Sequence, residues 1–546
     1  MPIALCAFGW LLFLDTRPIY AGLGGYDYDP AYVYLFNGLN ILKAAVPGHI
    51  DHPGTPLQVL SGIVIFVKWS MSRVFGLVDT PLTESVLIDP EGYIATISSI
   101  LLVLNVAGLF ILGYRVKLCT GSAALALMAQ TTPFFLGFTA PRVVYLSPEA
   151  LLMFASFCLL AVLMPEVFRD SGEQKQDEVR TEIFAGLICG IGLAVKITFL
   201  PLTLLLLLLR PVRRVRIAAT VLVVTLCLSL IPIISMIPSM ASWYYRVLFH
   251  TGKFGTGDSG LIDLSLLPRH LMHLWINFPI FFVAMVVLML WLITTFLLKR
   301  TSGRIQDVWT LRNVPGVFLL VGLGHLAVVL KHYGIHHFIH VLPVAILGLI
   351  WVLWTLSRGH WVPFITRRIP ALGAILCSFM AGWIVLGTLE LWRSEKAERD
   401  LEQAAIMKEM RQHRDAVVIA AYRSSLPSYA ILFGLSYTRG AHRDAAGSVL
   451  TNVISYNRWN KRFRSAGKGW LQHRDVNRLI QNGRTVILVT RKETAGMKGL
   501  DMAGFVVEKL IETKSQNIYR LRGVRGKTFF GPSPLPFKFG DTLTAR

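Results

Sequence analysis

The chain has 546 residues, of which 54% are apolar and only 16% charged, and its mean hydropathy is +0.55. This length would ordinarily mean several soluble domains, but the composition excludes that and matches a polytopic membrane protein. The formal charge of +22 is unevenly placed: from Arg393 onward 28 Lys and Arg stand against 13 Asp and Glu, so that part alone carries +15. The six cysteines (Cys6, Cys119, Cys158, Cys189, Cys227 and Cys377) all lie in apolar segments, which excludes a disulfide framework or a cysteine zinc site in the tail. Two regions follow: residues 1–392, an apolar body, and residues 393–546, a basic and soluble-looking tail.

A spanning helix needs about 20 apolar residues, and the pattern predicts about eleven spans. They fall near 1–14, 94–114, 120–138, 148–168, 183–195, 199–210, 217–237, 277–298, 314–330, 341–357 and 370–392. The first is short, and it lacks the basic start and small-residue cleavage site of a signal peptide. The pair 183–195 and 199–210 reads as two short spans divided near Lys196 and Pro201. Basic clusters at Arg115/Lys117, Arg210/Arg213/Arg214/Arg216, Lys299/Arg300/Arg304 and Arg358/Arg367/Arg368 then share one side, which the positive-inside rule makes cytoplasmic. The outer side receives 15–93, 139–147, 238–276, 331–340 and the tail. Segment 56–78 is apolar but interrupted by Lys68 and Arg73, so it reads as a helix in the outer interface whose basic stems snorkel. The expected location is the inner (plasma) membrane, with the C-terminal domain on the periplasmic, extracytoplasmic side.

In the tail, 415–422, 485–490, 505–512 and 518–521 have strand length and character, and 426–435 and 476–481 read as helices. The alternation predicts a small α/β domain. A basic cluster (Arg458, Lys461, Arg462, Arg464 and Lys468, with Trp459 and Trp470) reads as a face on anionic headgroups or on an acidic glycan. A nucleic-acid partner fits poorly with an outer location.

Residues able to carry chemistry gather in the outer segments. Asp27 and Asp29 lie in the first outer loop, and Pro30 follows with apolar residues at helical spacing. Asp29 therefore reads as the N-cap of an amphipathic helix. A carboxylate beside an apolar surface also becomes a better base, and the two readings coexist. Lys331, His332, His336, His337 and His340 form a dense cationic group at a membrane boundary. The i,i+4 spacing of the histidines admits a metal, but the neighbouring Lys331 favours an anion. Thr251–Gly260 is glycine-rich without a preceding strand or Walker spacing, so it reads as a mobile outer loop and not an NTP site.

Several of these short segments resemble motifs of the GT-C membrane glycosyltransferases, in order. Asp29-Pro30-Ala31-Tyr32 is similar to the Asp-Glu-x-Tyr element of the first external loop. Asp51-His52-Pro53 with Pro56-Leu57 resembles the His-Pro-Pro-Leu element of protein O-mannosyltransferases and lipid A aminoarabinose transferases. Pro148-Glu149-Ala150-Leu151 stands where the family has Asp-x-Leu, and Gly192-Leu193-Ala194-Val195-Lys196 resembles its Gly-Leu turn ending in Lys. Residues 331–343 resemble the late outer loop. Pro30 replaces the family's Glu and Glu149 its Asp, and Gly54-Thr55 is inserted before Pro56.

The resemblance covers roughly 1–392. It implies an inverting glycosyltransferase that moves a sugar from a polyprenyl-phosphate donor to a lipid, glycan or protein acceptor at the outer face of the membrane. It gives Asp29 the role of base, with Asp27 as its nearest substitute. Substrate binding falls to Asp51, His52, Glu149, Lys196, Lys331, His336 and His337. No cofactor is required on this reading, and a divalent metal is possible. The competing reading is a secondary transporter or flippase of lipid-linked glycans, which the broken span at Lys196 would suit. Against it, no matching interruption occurs in a second half.

Overall fold

In the computed structural model the described residues are 2–18, 28–49, 52, 54–168, 179–251, 255–260, 264–302, 308–331, 333–358, 368–421, 426–457, 462–465, 469–491 and 505–524. The chain divides into two compact units. One comprises 1–400 together with 430–449, and the other comprises 401–429 and 450–546.

The first unit is helical. Among the described residues, eight helices are long and apolar enough to cross a membrane: Thr55–Val74, Pro90–Thr120, Pro148–Val167, Val212–Phe249, Pro279–Leu297, Asn313–Lys331, Ile335–Arg358 and Ile369–Gln412. The segments expected near 1–14, 120–138, 183–195 and 199–210 form shorter helices, Pro2–Pro18, Ala123–Gln130, Val179–Val195 and Ile197–Leu208. Short pieces are tolerable at membrane depth when neighbouring helices satisfy the backbone. Thr55–Val74, expected to lie in the interface, has the length and composition of a span. Its Lys68 is accounted for within the protein, 3.6 Å from Asp89 and 4.4 Å above the Tyr93 ring. Ile63, Phe66, Met71 and Val74 on this helix are exposed, an apolar face that suits a helix lying in the interface as well as one that crosses.

Local chemistry sets the helix ends. Asp89 caps Pro90–Thr120 by accepting from the Gly92 N–H at 2.9 Å, Pro90 opens the first turn, and Gly121 closes the far end at φ 70°. Pro148 likewise opens Pro148–Val167, placing Glu149 in its first turn, where the helix dipole favours an anion. Val179–Val195 stops before Lys196, whose backbone is extended, and a 3-10 helix, Ile197–Leu208, begins immediately after it. The expected break is therefore at Lys196. Between Thr55–Val74, Pro90–Thr120, Pro148–Val167 and Val179–Val195 runs an apolar groove of ≈ 570 Å³. Pro56, Leu104, Ile111, Leu151 and Phe154 line it, together with Arg115.

The second unit is built on a seven-stranded sheet: β1 Val417–Ala421, β2 Val453–Asn457, β3 Arg462–Ser465, β4 Gly469–Leu471, β5 Val486–Arg491, β6 Phe505–Glu512 and β7 Gln516–Val524. The spatial order is β4-β3-β2-β1-β5-β7-β6, with β1 parallel to β2 and β5 and the other pairs antiparallel. Alternate residues Val417, Ile419 and Ala421 of β1 join Val486 and Leu488 of β5 in one buried face, the period-2 pattern that made these strands legible. Helix His473–Gln481, opened by a reciprocal Gln472–Asp475 capping box, brings Val476, Leu479 and Ile480 to that face. Strands β2, β3 and β4 were not expected. Within the basic cluster, Arg462 and Arg464 belong to β3 and Trp470 to β4, whereas Arg458, Trp459, Lys461 and Lys468 lie outside the described residues.

Candidate active site

Glu149 and Lys196 form a buried ion pair, Lys196 Nζ to Glu149 Oε1 at 2.7 Å. A charge this deep in a membrane protein is costly unless paired. Each partner sits at a helix boundary, Glu149 in the first turn of its helix and Lys196 at the break between two. Their side chains meet because the helices that carry them are neighbours in the bundle.

A third segment closes on this pair. The 3-10 turn Ile335–Val341 puts His336 Nε2 3.7 Å from the same Glu149 oxygen. His337 completes a group in which one ligand-type atom from each of Glu149, His336 and His337 lies within 4.8 Å of the others. The turn is fastened at several points. The His325 ring Nε2 lies 2.8 Å from the His337 carbonyl, and His340 Nε2 lies 3.0 Å from the Thr198 carbonyl, two residues past Lys196. Ser156 Oγ donates to the His340 carbonyl at 2.8 Å. Arg142 also acts on Glu149 electrostatically.

The segment between helices Tyr28–Leu42 and Thr55–Val74 supplies the fourth side. Gly54 adopts φ 61°, and its N–H donates to the Val195 carbonyl at 3.2 Å, next to Lys196. A Cβ at Gly54 would stand 2.5 Å from the Tyr34 ring, so both the dihedral and the space call for glycine. His52 stacks on Tyr34 at 5.9 Å and 14°, with Nδ1 2.9 Å from the Tyr34 hydroxyl. His49 stands edge-on to His52, ring centroids 4.5 Å apart. Burial, with Lys196 adding to it, pulls His49 down to about 3. Burial first, then His49 and Lys196, hold His52 well below the ordinary histidine value, against the opposing pull of Glu149. Both imidazoles are therefore neutral at pH 7 and present N–H groups, not positive charges.

The structure thus brings His52, Glu149, Lys196, His336 and His337 into one neighbourhood from four separated stretches of chain. Asp29 lies in the first turn of helix Tyr28–Leu42, its side chain outside the described residues, and Asp27, Asp51 and His332 are outside them altogether. Lys331 is engaged elsewhere: its Nζ donates to the carbonyls of His250 at 3.0 Å and Gly260 at 2.8 Å, tying down the glycine-rich loop. Sequence reasoning missed His49 and Tyr34. The His49/His52 spacing beside a helix carrying Tyr32 and Tyr34 was the available signal.

Two histidines and a carboxylate form a zinc-type donor set. Here, however, Glu149 Oε1 already holds the Lys196 ammonium, which would repel a divalent cation at the same oxygen. One ammonium and several imidazole N–H donors around a single carboxylate suit an anion instead.

No family model matches the sequence, and no curated protein matches it. Among solved structures, the chain is similar to the crystal structure of ArnT from Cupriavidus metallidurans bound to undecaprenyl phosphate. The TM-score is 0.47 at 10% identity, over 94% of this chain and 98% of that one. The apo structure of the same enzyme gives 0.44 at 12% identity, over 96% and 100%.

Proposed function

We propose that the protein is an inverting membrane glycosyltransferase that takes a sugar from a polyprenyl-phosphate donor and gives it to an acceptor at the outer face of the membrane. The observation that carries this reading is the convergence just described. His52, Glu149, Lys196, His336 and His337 were singled out as separate short motifs along the sequence, and they meet around one buried ion pair.

The donor has an anionic head and a long apolar tail. Lys196, oriented by Glu149, supplies a fixed positive charge, and the imidazoles of His52, His336 and His337 supply further N–H donors where the leaving phosphate gathers charge. The apolar groove begins at Pro56 and Leu151, each within three residues of the site residues Gly54 and Glu149. Its lining suits a polyprenyl tail. In the reaction the acceptor oxygen bonds to the anomeric carbon as the bond from that carbon to the phosphate oxygen breaks. The acceptor proton goes to a base, for which Asp29 is the choice, and the bonding pair leaves with the phosphate. The Arg210–Arg216 cluster marks the cytoplasmic end of the bundle, so Glu149, at the other end of its helix from the Arg214 partner Glu166, faces outward.

The test uses purified full-length protein in detergent with a polyprenyl-phosphate sugar and candidate acceptors. Acceptor-dependent release of free polyprenyl phosphate is expected. Movement of intact donor across a reconstituted bilayer without release would favour the transporter reading. Asp29→Asn should lower turnover by ~10²–10⁴-fold, the usual cost of losing a general base, because the amide can still cap the helix but cannot take a proton. Asp27→Asn should stay within a few-fold of wild type. If the two variants trade places, Asp27 is the base.

A further inference from the structure

Residues 430–449 come after the last membrane helix, Ile369–Gln412, and after 401–429 of the other unit, yet they belong to the same compact unit as the membrane helices. They sit against the first outer loop through backbone as well as side chains. The Gly48 N–H lies 3.1 Å from the Tyr437 carbonyl and 2.8 Å from Asn37 Oδ1. Asn40 Nδ2 donates to the Thr438 carbonyl at 3.2 Å and to the Val46 carbonyl at 3.1 Å, so one side chain holds both segments. The approach is close enough that a Cβ on Gly434 would meet the Tyr32 carbonyl at 2.7 Å, and one on Gly48 the Tyr437 carbonyl at 2.4 Å. His442 is buried beside Lys43 and the Phe36 carbonyl. The ring of Tyr437 stands edge-on to His49 at 5.5 Å, and His49 stands edge-on to His52. His49 is 3% exposed, and its Nδ1 has no hydrogen-bond partner among the described residues. Tyr34, His52 and Tyr437 pack around this ring on three sides.

We propose that residues 430–449 are a structural part of the membrane site, with Tyr437 acting as a positioning residue that seats His49 and, through it, His52. The consequence for transfer rests on the function proposed above, whereas the seating itself does not. The tail thus contributes a wedge that completes the fourth side of the site. Asn40, Gly48 and Gly434 are the points where that wedge is locked to the first loop.

The test compares wild type, Tyr437→Ala, Tyr437→Phe and Gly48→Ala as full-length proteins in detergent. Diethylpyrocarbonate, which acylates accessible neutral imidazoles, is the probe, and peptide mass spectrometry reads each histidine. Modification of His49 and His52 should be roughly tenfold faster in Tyr437→Ala and Gly48→Ala, because reaction follows local opening. Tyr437→Phe, which keeps the ring, should match wild type. In the transfer assay, kcat should fall by a similar factor in the first two variants and recover in Tyr437→Phe. Unchanged modification of both histidines in Tyr437→Ala and Gly48→Ala would overturn the proposal, whatever the transfer assay shows. Faster modification in a protein that transfers no sugar would uphold the seating and sink the function instead.

Discussion

Helix Pro148–Val167 carries a buried carboxylate near each end, and the two clusters built on them differ. Glu149 and Glu166 are separated by roughly 26 Å at 1.5 Å per residue, close to the thickness of a bilayer's hydrocarbon core. At one end Glu149 meets Lys196 and the imidazoles of separate segments, and the side chain of His336 there remains 34% exposed. At the other end Arg214 is held between Glu166, at 2.7 Å, and Glu182, and all three side chains are closed off. The closed cluster has two carboxylates on one guanidinium and joins three neighbouring helices, Pro148–Val167, Val179–Val195 and Val212–Leu230. The open cluster gathers Lys196 and several imidazoles around one carboxylate and takes its members from loops, a helix start and a helix break. Burial alone therefore does not distinguish a site from a staple. What distinguishes them is where the partners come from and whether one side stays accessible.

The comparison breaks or sharpens under four substitutions. Arg214→Met strands two buried carboxylates and should cost about 3–5 kcal/mol of stability, read as denaturant resistance in detergent. The folded fraction should keep its donor KM. If turnover per folded molecule also collapses, the closed cluster is not merely a staple. Lys196→Ala should act the other way, lowering kcat by ~10²–10³-fold, about 2.7–4 kcal/mol. Normal turnover would remove Lys196 from the phosphate site. Lys331→Ala should do less, because its ammonium is committed to two loop carbonyls. Losing such a bond is worth about 1 kcal/mol, seen as a roughly fivefold rise in donor KM and faster proteolysis between 251 and 260. A rise as large as that for Lys196→Ala would place Lys331 on the phosphate.

The smallest effect expected is on pH dependence. Burial, with Lys43 adding to it, draws His442 down to about 4 from an ordinary 6.5. The unfolded chain then binds the extra proton between those values, so this stabilisation is complete above about pH 6.5 and is lost as the pH falls toward 4. His49 acts in the same direction. The apparent unfolding midpoint should fall on acidification from pH 7 to 5, and less so in His442→Gln. An equal fall in both proteins would show that His442 is already paired or charged.

Much of this was legible where the signal is local. Strands β1 and β5 stood out by alternation, and the break at Lys196 by its glycines, the lysine and Pro201. The members of the open cluster stood out as ionisable residues at the ends of apolar runs, where only function or pairing explains them. What the sequence hid depends on distant packing. Nothing near Tyr437 marks it as a neighbour of His49, because that contact joins segments almost four hundred residues apart. Strands β3 and β4 were obscured because Arg462, Arg464 and Trp470 read first as a charged, aromatic patch. Lys68, which marked 56–78 as interfacial, is set beside Asp89 and over the Tyr93 ring, a pairing that only tertiary packing reveals.

The late arrival of residues 430–449 has a consequence for the protein's synthesis. Glu149 and Lys196 leave the ribosome well before Tyr437 does. At ~5–20 residues per second the delay is roughly 10–50 s. Throughout that interval the ion pair and the groove can form in the membrane while the first-loop histidines still lack their final neighbour. A chain that stalls or is cut before 430 would leave behind an inserted helical bundle with an unfinished pocket. Completion of the site is thereby tied to completion of the polypeptide.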